Sequence, residues 1–195
     1  IRKSNIDSGN VNWLESAGTN PDNSEWLLVP KDSFSYGGSH YQYFDSDLDV
    51  LQTFIDNSFE SIDMSMDANN NGLIEPLELG YQDWVNGRLQ SISCNQCGLS
   101  GEIPSEIGNL DYVEYFNMWG NNFSGSIPSE ISNMGSLLGF TFGGNALSGQ
   151  IPESFYTMTQ LQGASLWGNS LEGIVSDQIC GMTSLGNINL SGNNF

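Results

Sequence analysis

A chain of 195 residues carrying 23 acidic and four basic side chains, net charge −19, suits one elongated domain or two small ones. So acidic a surface repels phosphate backbones and anionic lipid, which disfavours nucleic acid and membrane surfaces as partners and favours cations or basic partners. No apolar run reaches the ~18 residues of a membrane span, so no membrane insertion is expected.

The chain opens IRKSNIDSGN, without Met or a signal peptide, as expected of a mature protein or an excised segment. Residues 1–44 read as an irregular N-terminal segment, polar and rich in Gly, Ser and Asn, with one strand-like run over Glu25–Val29 ended by Pro30. His40, the one histidine, sits in a Gly/Ser-rich stretch that suits a solvated or capping role better than a general base. With no nucleophile motif or phosphate loop beside it, the chain is read as non-enzymatic.

Residues 45–88 read as a helical cap. Val50, Leu51, Phe54 and Ile55 recur at helical spacing after Asp45, Asp47 and Asp49, carboxylates that suit a helix N-terminus. A second apolar set, Leu77, Tyr81, Trp84 and Val85, follows Pro76 and predicts a second helix. Between them residues 67–78 match the twelve-residue calcium loop of the EF-hand, with Gly72 at the sharp turn. Asp67, Asn69 and Asn71 would offer side-chain oxygens, Leu73 its carbonyl, Glu75 a water-mediated contact, and Glu78 a bidentate closure. Ile74 would pack beneath the loop. Ca²⁺ takes six to eight oxygens, so this set suits it. Unpaired and modest in charge, the site suggests affinity in the ~10⁻⁴–10⁻³ M range and a structural role. The plainer reading is an Asn/Asp/Gly turn between helices.

From residue 89 the chain repeats every 24 residues, with rows starting at Leu89, Val113, Leu137 and Leu161 and a partial fifth at Leu185. A fixed period of this length means a solenoid. Each row opens on an LxxLxL-like pattern, for example Val113, Phe116 and Met118, a short strand with its apolar face inward. Asn121, Asn145, Asn169 and Asn193 then recur at one inward phase, where an amide can serve the buried backbone of adjacent turns. Cys97 holds that phase in row one and Cys94 an inward strand position. Both are read as buried free thiols, since no second pair or histidine completes a zinc site; Cys180 is read as inert too. Gly101, Gly125, Gly149 and Gly173 precede Ile-Pro pairs in three rows. In row four the pair is Ile174-Val175, read as shifted and lacking Pro. Trailing pairs such as Ile107/Leu110 predict a helical or 3₁₀ turn closing each coil.

The stretches LSGEIPSEIGNL, FSGSIPSEISNM and LSGQIPESFYTM resemble the plant-type leucine-rich repeat over residues 89–195. That resemblance implies an α/β solenoid, curved and right-handed, with a parallel sheet on its concave face and turns or 3₁₀ segments outside. By association it implies an extracellular or cell-surface role in recognition or scaffolding.

Outward strand residues would line the concave face. Trp119 and Trp167 share one phase two rows apart, with Gly143 between them and Tyr115 and Leu138 nearby. Such aromatics suit contact with a protein, peptide or glycan; alternatively the indoles lie flat over glycine backbone. Asn122-Phe123-Ser124 and Asn189-Leu190-Ser191 are candidate glycosylation sequons. The leading functional expectation is a calcium-stabilised recognition module. The alternative is a structural subunit that assembles with copies of itself into a filament or wall, packing head to tail through an uncapped last repeat.

Overall fold

The computed structural model describes residues 43–195; the strand expected at 25–29 and His40 lie outside them. Helix α1 spans Asp45–Asn57, with Asp45 and Asp47 in its first turn and Leu48, Val50, Leu51, Phe54 and Ile55 buried. It stops at fully buried Ser58, whose Oγ donates to the Phe54 carbonyl (2.7 Å) and accepts the Ser100 N–H (2.9 Å). One side chain thus ends the helix and fastens it to the first repeat.

The second cap helix does not form. Pro76–Glu78 is a single 3₁₀ turn, and the chain continues into β1 (Tyr81–Val85), antiparallel to β2 (Arg88–Ser93). Asn86 and Gly87 join them with φ of 51° and 79°, both positive, as a tight hairpin turn requires. Tyr81, Asp83 and Val85 face solvent while Gln82 and Trp84 face inward, the alternation of a strand.

Strands β2, β4 (Tyr115–Asn117), β6 (Gly139–Thr141), β8 (Gly163–Ser165) and β10 (Asn187–Asn189) stack in parallel, with β1 on the outside of β2. Register advances one row per strand, so Phe116 pairs with Phe140 and Phe140 with Ala164. A second, four-stranded parallel sheet, not foreseen from the sequence, joins β3 (Ser100–Glu102), β5 (Asn122–Gly125), β7 (Ala146–Gly149) and β9 (Ser170–Leu171). The expected 3₁₀ turns close the coils at Ser105–Asn109, Ser129–Asn133, Glu153–Thr157 and Asp177–Gly181. The fold is a solenoid of the leucine-rich-repeat kind, with the six-stranded sheet along the side that the resemblance makes concave.

The core is continuous from cap to repeats. Phe54 of α1 meets Phe116 and Phe123 at centroid distances of 6.0 and 5.6 Å, and both of these meet Phe142 at 5.6 and 5.9 Å. Beside it, Asp47 is fully buried and accepts Arg88 Nε (2.9 Å), Arg88 Nη2 (3.0 Å) and the Leu89 N–H (2.9 Å). Arg88 also pairs with Asp111 and lies between the rings of Phe44 and Tyr112, 4.9 and 4.2 Å from their centroids. The Asp47 hydrogen bond leads the causes that raise the Arg88 pKa further.

The inward asparagines form the expected ladder. Asn169 Nδ2 donates to Phe142 O and Leu166 O (both 3.0 Å), and its Oδ1 accepts the Leu147 N–H (3.0 Å). Asn121, Asn145 and Asn193 repeat the set one row apart. Each amide therefore ties its own turn to the row before it.

Cys94 and Cys97 are not free thiols: they form a disulfide. Row one has no earlier row for an Asn to serve, and the covalent link spans the three residues that the Asn-to-carbonyl bond spans elsewhere. Cys180, on the last 3₁₀ turn, is free and exposed rather than buried. Row four is not shifted. Val175 occupies the phase of Ile103, and Ser176 takes the place of Pro104 with φ −65° and ψ 142°, its Oγ accepting the Gln178 N–H. Ile174 falls on the outward phase of Glu102 and is 91% exposed.

Candidate functional site on the concave sheet

Outward residues of the parallel strands enclose a shallow hollow of about 450 Å³. Its lining includes Tyr115 and Asn117 on β4, Thr141 on β6, Ser165 on β8, and Asn187 and Asn189 on β10. Gly139 and Gly163 also line it, and by lacking side chains they leave its floor low. A Cβ on Gly139 would come within 3.3 Å of the Tyr115 ring, so that ring leans over the glycine and forms one wall. At Gly163 a Cβ would meet only the Asn187 carbonyl at 3.9 Å, leaving room above it.

Of the four aromatic and apolar residues expected to face a partner, Tyr115 alone lines this hollow and is 53% exposed. Trp167, 39% exposed, lies flat on the backbone of Gly143 and Gly144: a Cβ on Gly143 would sit 2.3 Å from its Nε1. That is the covering role weighed for the indoles. Trp119 and Leu138 are half-buried. The glycines opposite Tyr115 were the stronger sequence signal, since Gly139 and Gly163 share its phase.

The sequons differ in place. Asn122 is exposed on β5 in the second sheet, away from the hollow. Asn189 is exposed on the hollow's rim, and its Oδ1 accepts both the N–H and the hydroxyl of Ser191.

The loop over 67–78 follows the 3₁₀ turn Met64–Met66 and ends in the 3₁₀ turn Pro76–Glu78, with no helix on its far side. Its oxygens nevertheless turn onto the loop. Asp67 accepts from the N–H groups of Asn71 (3.1 Å) and Gly72 (2.8 Å), Asn69 Oδ1 from Asn71, and Asn71 Oδ1 from Leu73. The amides of Asn69 and Asn71 both donate to Glu75, at 2.9 and 2.7 Å. Glu78 reaches back to accept from Ala68, Asn69 and Glu75. Burial, and then the Glu75 side chain, pushes the Glu78 carboxyl up to about 7. Ile74 is buried beneath the loop as expected, and Met66 reaches Cys94 Sγ at 3.9 Å. The turn thus gathers oxygen donors at positions 67, 69, 71, 75 and 78, the kind Ca²⁺ takes, although among the described residues no three His, Cys, Asp or Glu side chains come together as a metal-holding group.

The Leucine Rich Repeat family model matches residues 88–110 and 112–134. No curated protein matches the chain. Among solved structures, a TDR receptor is 40% identical with a TM-score of 0.51, over 54% of this chain and 18% of that one. The plant peptide hormone receptor RGFR1, solved in complex with RGF2, is 29% identical with a TM-score of 0.54, over 56% of this chain and 18% of its own. The chain therefore spans under a fifth of either receptor. A structure from the BIR3–SERK2 complex of Arabidopsis thaliana is 26% identical with a TM-score of 0.58, covering 74% of this chain and 80% of that one.

Proposed function

We propose that this solenoid is a non-enzymatic, extracellular recognition module that takes a protein segment or peptide in the hollow of its concave sheet. The observation that carries this reading is the glycine floor at Gly139 and Gly163, walled by Tyr115 and rimmed by neutral polar side chains. Exposed backbone and short polar groups suit an extended chain, whose own N–H and C=O groups need partners. RGFR1, whose structure contains RGF2, and the paired BIR3 and SERK2 support a peptide or protein as the occupant. The disulfide fits an oxidising compartment, and no helix of the described residues is long and apolar enough to cross a membrane. Peptides selected by display for binding to this protein are expected to lose affinity about 100-fold or more on Gly163→Trp, whose indole would fill the hollow. Undiminished binding sinks the reading.

The loop over 67–78 would add calcium as a structural cofactor. Asp67, Asn69, Asn71, Glu75 and Glu78 would hold the ion with the Leu73 carbonyl, pinning the cap between Met66 and Leu79. With affinity of ~10⁻⁴–10⁻³ M, about 10 mM Ca²⁺ stabilises by roughly 1.4–2.7 kcal/mol. Thermal unfolding in CaCl₂ and in EDTA checks this: the midpoint should rise with calcium in the parent and not in Asp67→Ala. An unchanged parent midpoint removes calcium from the account.

A further inference from the structure

Beside the hollow, toward the cap, the same sheet face continues over β2 and β1. Register places Tyr81 of β1, Ser93 of β2 and Asn117 of β4 in one line, and Asp83, Ser91 and Tyr115 in the next. Two serines thus form a low floor between a Tyr81/Asp83 wall and a Tyr115/Asn117 wall. Strands lie about 4.8 Å apart, so the walls stand roughly 10 Å apart, the width of a slot for one side chain. Tyr81 and Tyr115 are 69% and 53% exposed.

The chemistry of this slot is one-sided. Asp83 accepts from Ser91 Oγ (2.7 Å) and from the Tyr81 hydroxyl (3.3 Å), which hold its carboxylate over the floor. Glu114, next to Tyr115, accepts from Gln90. The amide nitrogens of Asn95 and Asn117 both converge on Ser93 Oγ, at 3.0 and 3.5 Å. Their carbonyl oxygens are buried and have no hydrogen-bond partner. Each such acceptor is an uncompensated cost that an incoming donor would relieve. Both residues are half-buried beside the slot. No base answers these acceptors from within: Arg88 is the one basic residue among those described, and Asp47, Asp111, Phe44 and Tyr112 engage it.

We infer that this slot selects a basic side chain, an arginine or lysine, of the peptide or protein segment bound in the adjoining hollow. The inference rests on the recognition reading above and specifies the partner's chemistry. The cation's donors meet Asp83 and the two orphan carbonyls, and Tyr81 and Tyr115 offer ring faces to its apolar stem and charge.

Display-selected peptides test it. They should carry Arg or Lys at one fixed position. Replacing that Arg by neutral citrulline, or Lys by norleucine, should weaken binding to the parent protein about 10-fold or more. The same replacement should leave binding to Asp83→Asn/Asn117→Leu unchanged. An equal loss in both proteins would assign the effect to diffuse acidity and overturn the slot. Peptides that depend on Gly163 but have no such basic position would overturn the slot and leave the recognition reading standing. If no selected peptide responds to Gly163→Trp, both fall.

Discussion

Arg88→Met should lower stability by about 3–5 kcal/mol, the cost of stripping the partner from a buried charge. Asp47 is fully buried, and of its four hydrogen bonds the two from the Arg88 guanidinium are the charged ones. Methionine keeps much of the apolar stem beside Phe44 and Tyr112 but leaves the carboxylate with two neutral donors, the Leu89 N–H and, at 3.3 Å, the Ser46 hydroxyl. The outer pair with half-exposed Asp111 contributes little, ~0–1 kcal/mol, so Asp111→Ala should be nearly silent. Adding Asp47→Asn to Arg88→Met should recover part of the loss, because the amide removes the stranded charge and still accepts from Leu89. Urea unfolding of Arg88→Met, Asp47→Asn, their double variant and Asp111→Ala measures this. Strict additivity of Asp47→Asn and Arg88→Met would contradict the pairing as the cause.

Asn169→Leu should cost about 1–3 kcal/mol, since it orphans one buried backbone N–H and strips one of two amide donors from each of two carbonyls. The orphaned group is the Leu147 N–H, while the carbonyls of Phe142 and Leu166 keep the amides of Asn145 and Asn193. Asn193→Leu removes the same bonds in the last row, where Leu190 is only partly buried and water can replace them. It should cost clearly less. Equal costs in urea unfolding would show that the ladder's value does not lie in burial.

The repeats were legible because their constraints are local and recur. An inward apolar phase, a buried amide and a closing turn each leave a mark every 24 residues. The second sheet left almost none: its strands have two to four residues and are built on small ones such as Ser148 and Gly149. In the cap, Leu77, Tyr81, Trp84 and Val85 imitate helical spacing, but the Asn86-Gly87 turn and the Tyr81/Asp83/Val85 alternation favour a hairpin. Pairing with the first row decides it. The cysteines were misread because repeat phase says that a site is buried, not what it bonds. Cys94 and Cys97 stand in the one row whose Asn would have no neighbour below. At the hollow, large aromatics drew attention to Trp119 and Trp167, whereas the space was made by what is absent at Gly139 and Gly163.

The most direct measurement of the recognition account compares the affinity of display-selected peptides for the parent, Gly163→Trp and Gly135→Trp. The first substitution fills the hollow; at the second an added Cβ meets no atom within 4 Å, and the residue lies outside the hollow. The expected result is a loss of about 100-fold or more for Gly163→Trp and no change for Gly135→Trp. Equal affinities for all three proteins would contradict the account.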